Sequence, residues 1–184
     1  MSESDLQAVR LWEDPDYFRA AVRFTSQVTT FAPRLVEKDY FCTVLLEYLS
    51  ETSEGLVFKG GTCLAKVHAD FYRLSEDLDF VIPVPVTSTR SQRSKQAAGL
   101  KKAVALLPER LPGFHLIDPL KGANNSTQYI AVVGYPSLLR RQEETLKIEV
   151  GLRESLLTPV VNRPARTIML DPVSGKPLVL PVPV

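Results

Sequence analysis

Asp77 and Asp79 are the residues of this 184-residue chain whose type and spacing point most directly to chemistry. Two carboxylates at i and i+2 of a strand share one face with their backbones about 7 Å apart, within reach of a pair of divalent cations roughly 3.5 to 4 Å apart. Oxygen ligands of this kind suit Mg2+, with Mn2+ as a substitute. A lone D-x-D also occurs on solvated strand ends, so its neighbours decide its meaning. Here Gly60-Gly61-Thr62 stands upstream. Glycines let a backbone approach phosphate closely, and N–H groups at a helix start attract it. Glu149, on the polar side of the alternating stretch Leu146 to Leu152, adds a third acid for metal binding or hydroxyl activation, although a solvent-facing glutamate would fit the same pattern. Lys59 precedes the glycines, and Arg73 and Ser75 precede the acids; each can contact phosphate or serve as an ordinary surface group or a charge partner for Asp77. A held polyphosphate beside paired acids is what nucleotidyl transfer requires, since there the protein supplies mainly position and charge.

Other chemistries fit less well. The glycine turn lacks the preceding glycine and following lysine of a P-loop, and His68 and His115 have no partner at metal-ligand spacing. Cys42 and Cys63 sit in apolar surroundings and read as small hydrophobes, too few for a disulfide framework.

The elements that must position these groups follow from periodicity. Asp14-Pro15 starts an amphipathic helix carrying Tyr17, Ala21, Phe24, Val28 and Phe31 and ending before Pro33. A second helix is predicted from about Leu35 to Ser50, with Cys42, Leu45, Leu46 and Leu49 inward. Leu56 to Phe58 reads as a strand that stops at the glycines, and Thr62 as the cap of a short helix from Cys63 to about Asp70. Asp77 to Ile82 alternates acid and apolar as a half-buried strand does. A helix from about Arg90 to Leu107, then strands at Phe114 to Ile117, Tyr129 to Tyr135 and Leu146 to Leu152, suggest an antiparallel meander. From about Thr158 the chain is rich in proline and is expected to form edge strands and a tail. Residues 1–157 are thus read as a core with N-terminal helices, and 158–184 as proline-rich edge strands and tail.

A net charge of +1 excludes a protein that binds nucleic acid through its overall charge, so any RNA contact must be local. Arg90, Arg93, Lys95, Lys101 and Lys102 form one candidate basic patch, and Arg140 with Arg141 a second; a solvated helix face is the simpler reading than a phosphate-binding one. No apolar run is long enough for a bilayer span and the N-terminus carries no secretory pattern, so a cytoplasmic, membrane-free location is expected.

The stretch FKGGTCLAKVHADFYRLSEDLDFVIP, Phe58 to Pro83, resembles the signature of the AbiEii/AbiGii-type nucleotidyltransferase toxin family, which includes the MenT toxins. VEKDYFCTVLLEYL at Val36 to Leu49 and LKIEV at Leu146 to Val150 are similar to that family's preceding helix and third-acid strand. The resemblance implies an α+β, DNA polymerase β-like nucleotidyltransferase fold, a mixed sheet with packed helices. Gly61 and Thr62 would hold phosphate while Asp77, Asp79 and Glu149 bind magnesium. It also implies a toxin of a toxin-antitoxin or phage-abortive system that moves a nucleotide from a nucleoside triphosphate to an acceptor, expected to be tRNA or another RNA, with a cognate antitoxin as partner.

Family members continue into a helical half beyond the point where this sequence stops, and the ending LVLPVPV leaves apolar residues in need of a partner. A shortened chain is one expectation, and oligomerisation through the tail another. The competing reading is a non-catalytic relative that binds nucleotide, RNA or antitoxin without turnover.

Overall fold

The computed structural model describes residues 10–53, 55–71, 73–140, 142–153, 156, 159–178 and 182–183. Helix α1 (Pro15–Thr29) starts as its sequence predicts, with the Asp14 carboxylate accepting from Tyr17 N–H, and it buries Phe18, Ala21, Val22 and Thr25. Helix α2 (Pro33–Thr52) begins earlier than expected. Pro33 occupies its first turn, where the missing N–H costs nothing, so the proline starts this helix as well as ending the previous segment. α2 is buried on almost every side and forms the central rod of the core.

Strand β1 (Val57–Lys59) leads directly into a four-residue helix α3 (Gly60–Cys63), which continues as a wider π turn over Leu64–His68. Strand β2 (Asp77–Pro83) follows, then α4 (Arg90–Gln96) and α5 (Ala98–Arg110). The single helix expected over residues 90–107 is thus two, divided at Ala97, with Pro108 tolerated near the C-terminal end. Strands β3 (His115–Ala123), β4 (Gln128–Pro136) and β5 (Glu143–Arg153) form the expected meander. β3 outruns its predicted end at Ile117 because its outer residues are nearly all exposed, leaving no hydrophobic alternation to read.

The main sheet has the order β1-β2-β5-β4-β3, with β2 and β5 parallel and every other pair antiparallel. One face is apolar: Leu78, Phe80 and Ile82 of β2, Leu146, Ile148, Val150 and Leu152 of β5, and Tyr129, Ala131, Val133 and Tyr135 of β4 are all buried. They form one cluster with α1, α2 and α5, in which the Phe41 ring lies 4.2 Å from that of Tyr135. The period of two then forces Asp77, Asp79, Lys147 and Glu149 onto the opposite face.

Buried charges lock this frame. Lys66 and Asp39 are both buried and 2.5 Å apart; Lys66 Nζ also donates to Thr43 Oγ1 at 2.7 Å. The second Asp39 oxygen accepts from Thr167 Oγ1 at 2.9 Å and Ile168 N–H at 3.0 Å. One ion pair therefore ties α2, the π turn and the segment after Arg163 together. That segment carries β6 (Pro164–Ala165), which pairs with β7 (Val182–Pro183). The apolar side chains of the tail from Val179 onward lie outside the described residues, as does Arg141.

Candidate functional site

Gly60 adopts φ +78°, a left-handed conformation that glycine accepts without strain. A Cβ added there would stand 2.9 Å from Asp79 Cβ, so the turn and the acid touch. A Cβ on Gly61 would lie 2.8 Å from Arg73 Nη2 and 3.1 Å from Ser75 Oγ. The two glycines thus bring a carboxylate, a guanidinium and a hydroxyl around one helix start, whose first N–H groups have no intrahelical acceptor. Lys59, the residue just before this start, pairs with Asp79 across β1 and β2.

Thr62 departs from its expected role. It lies within the helix and is buried, and its hydroxyl donates to the Asp77 carbonyl. The side chain fastens the glycine helix to β2, leaving only its main-chain N–H for a ligand.

The parallel register sets Asp79 directly beside Glu149 and Asp77 beside Lys147. All three expected acids therefore share one face of adjacent strands. Burial is the main cause raising the Asp79 carboxyl above its ordinary range, with Glu149 and Asp77 adding to it against the opposing pull of Lys59. Glu149 is held low, chiefly by Lys147, whose Nζ donates to Glu149 Oε2 at 2.7 Å, and further by Gln128 Nε2 on Oε1 at 2.8 Å. The same bond raises Lys147. Glu149 is turned toward these donors, and no three His, Cys, Asp or Glu groups among the described residues converge as a ready metal site. The donor set itself, three carboxylates at neighbouring register positions, suits a hard cation.

Lys147 and Gln128 were not singled out by sequence. Lys147 precedes Glu149 by two positions and so shares its face, a signal readable once Glu149 is taken seriously; Gln128 reaches the site only through the β4–β5 pairing. Supporting groups stand behind: Lys38 Nζ donates to Glu76 Oε2 at 2.8 Å, and Arg34 reaches the same oxygen at 3.3 Å, fixing the residue before Asp77. Arg34 also grips Glu144 through two nitrogens, at 3.0 and 2.9 Å.

The basic patch serves structure in part, since Arg93 donates to the Asn125 and Ser88 carbonyls and Lys101 sits over the Tyr129 ring. His115 pairs with Glu143. Cys42 is buried, its thiol pushed up to about 12.

The α+β frame thus sets a glycine-led helix start against strand-borne acids. The chain belongs to the AbiEii family: residues 44–184 match the family described as nucleotidyl transferase AbiEii toxin of type IV toxin-antitoxin systems. Among solved structures it is similar to JHP933 from Helicobacter pylori, at 22% identity, TM-score 0.47, covering 74% of this chain and 53% of that one. A second H. pylori structure, described as a candidate nucleotidyltransferase, matches at 22% identity and TM-score 0.47, over 74% and 55%. This chain therefore spans little more than half the length of either. No curated protein matches it. No helix among the described residues is long and apolar enough to cross a membrane.

Proposed function

We propose that the chain transfers a nucleotide from a nucleoside triphosphate to an RNA hydroxyl, with tRNA as the expected acceptor, as the toxin of a toxin-antitoxin or phage-abortive pair acting in the cytoplasm. The observation that carries this reading is the contact of Gly60 with Asp79 on the sheet face that also bears Asp77 and Glu149.

Asp77, Asp79 and Glu149 would hold Mg2+ or Mn2+, which supplies charge neutralisation for the triphosphate and the leaving group. The N–H groups of Gly60, Gly61 and Thr62 would donate to phosphate oxygens at the helix start. Arg73 and Ser75, beside Gly61, and Lys59, beside Asp79, add charge and a hydrogen bond to the same polyphosphate. In the reaction the acceptor oxygen bonds to the α-phosphorus, the bond to the bridging oxygen breaks, and pyrophosphate departs. The hydroxyl proton passes to a carboxylate of the cluster.

The test is incorporation of each labelled nucleoside triphosphate into total RNA, with the cognate antitoxin gene product as a further arm. Wild type is expected to label RNA and release pyrophosphate in proportion, and Asp79→Asn to lose at least about a hundredfold in rate. Undiminished labelling by Asp79→Asn would remove Asp79 from the chemistry, and binding of triphosphate without pyrophosphate release would make the chain a non-catalytic binder.

A further inference from the structure

Two lysines stand among the three carboxylates of the acid-bearing face. Lys59 lies opposite Asp79 from β1 and Lys147 opposite Asp77 from β5. Lys147 Nζ is 2.7 Å from one Glu149 oxygen and Gln128 Nε2 is 2.8 Å from the other, so both oxygens are engaged. The pair is open to solvent, with 41% of the Lys147 side chain and 30% of the Glu149 side chain exposed. Pairs of that exposure are held weakly and open easily. Three carboxylates and two ammoniums share the face, with the Arg73 guanidinium beside Gly61 at its edge.

We propose that Lys147 is a resident counter-ion: in the metal-free chain its ammonium takes the place at Glu149 that a divalent cation occupies in the working site, so cation binding requires the Lys147–Glu149 pair to open. This rests on reading Asp77, Asp79 and Glu149 as cation ligands. It accounts for the contrast between a register that gathers three acids and side chains that do not converge. It also gives a purpose to a lysine two positions before the third acid on the same face. Lys147 thereby keeps the face from repelling itself apart when no cation is present, and the pair sets a threshold cation concentration for assembling the site.

The experiment is Mn2+ titration of the full chain, followed by the electron paramagnetic resonance signal of free Mn2+, for wild type, Lys147→Gln, Lys147→Arg and Asp79→Asn. Circular dichroism establishes that each variant is folded. Lys147→Gln is expected to bind Mn2+ about tenfold more tightly, because a positive charge about 5 Å from the cation is gone and no pair has to break. Lys147→Arg, which restores the charge, is expected to stay within about threefold of wild type. Lys147→Gln binding no more tightly than wild type, or Lys147→Arg tightening as much as Lys147→Gln, overturns the counter-ion role. Asp79→Asn is expected to bind at least about tenfold more weakly. If it binds as wild type does, the cation reading itself fails and the counter-ion role falls with it; if it alone weakens while Lys147→Gln is unchanged, only the counter-ion role fails.

Discussion

Replacing Gly60 by alanine perturbs fold and site through the same atom. The backbone there sits at φ +78°, and an L-residue in left-handed conformation costs about 1–2 kcal/mol. The new methyl would stand 2.9 Å from Asp79 Cβ, inside normal contact, and such overpacking costs about 1–3 kcal/mol. Loss of glycine's freedom in the unfolded chain returns about 0.4–1 kcal/mol. The net is a destabilisation of about 2–4 kcal/mol, which for a chain of this size lowers the melting temperature by roughly 5–15 °C. Gly55 supplies the control, since it has φ +70° but open space around its Cβ position, so alanine there carries strain without collision. Differential scanning calorimetry of both variants separates the two contributions. If Gly60→Ala melts no lower than Gly55→Ala, Asp79 is not packed against the glycine turn and the site geometry described above is wrong.

Further perturbations reach other parts of the frame. Lys66→Met leaves the buried Asp39 carboxylate without its cation and should cost about 3–5 kcal/mol in urea unfolding, most of it recovered when Asp39→Leu is added; equal losses in the single and double variants would deny the pairing. Glu144 is held below its ordinary range, first by its bond to Arg34, so its stabilising share is present above the unfolded value of 4.5 and is lost as pH falls through the lowered folded value. Glu144→Gln should therefore be weaker than wild type by about 1–2 kcal/mol at neutral pH, with a shallower acid decline, and a pH series of unfolding curves that coincides with wild type would refute it. Asp79 carries the opposite sign: its raised folded value means that its ionised form opposes folding once the pH exceeds that value. Asp79→Asn should accordingly melt about 1–2 °C above wild type at pH 7, and melting below wild type would count against the burial assigned to Asp79.

The parts of the site that were legible in sequence are those governed by local rules. The alternation from Asp77 to Ile82 and from Leu146 to Leu152 assigns each acid to the polar side of its strand, and the glycines announce a close approach of backbone to something. Which strand lies beside which is a non-local matter. The parallel pairing of β2 with β5 joins residues about seventy positions apart, and no periodicity encodes it. Thr62 was misplaced because a threonine after two glycines looks like a cap, whereas Gly60 itself opens the helix and the hydroxyl turns to Asp77. Polar residues of the core are likewise decided by partners distant in sequence. Glu37, Lys38 and Asp39 are buried on α2, where Ser137, Glu76 and Lys66 meet and satisfy them. Burial of a charge is visible only when its partner is in view.

The proposed function requires Asp77, Asp79 and Glu149 to hold a divalent cation jointly beside the glycine helix start. Anomalous diffraction from crystals grown with Mn2+ and a non-hydrolysable nucleoside triphosphate tests it most directly. A manganese peak bounded by those three carboxylates is expected, with Glu149 turned away from Lys147 and the polyphosphate against Gly60 and Gly61. Manganese and triphosphate bound elsewhere, with the Lys147–Glu149 pair still closed, would contradict it.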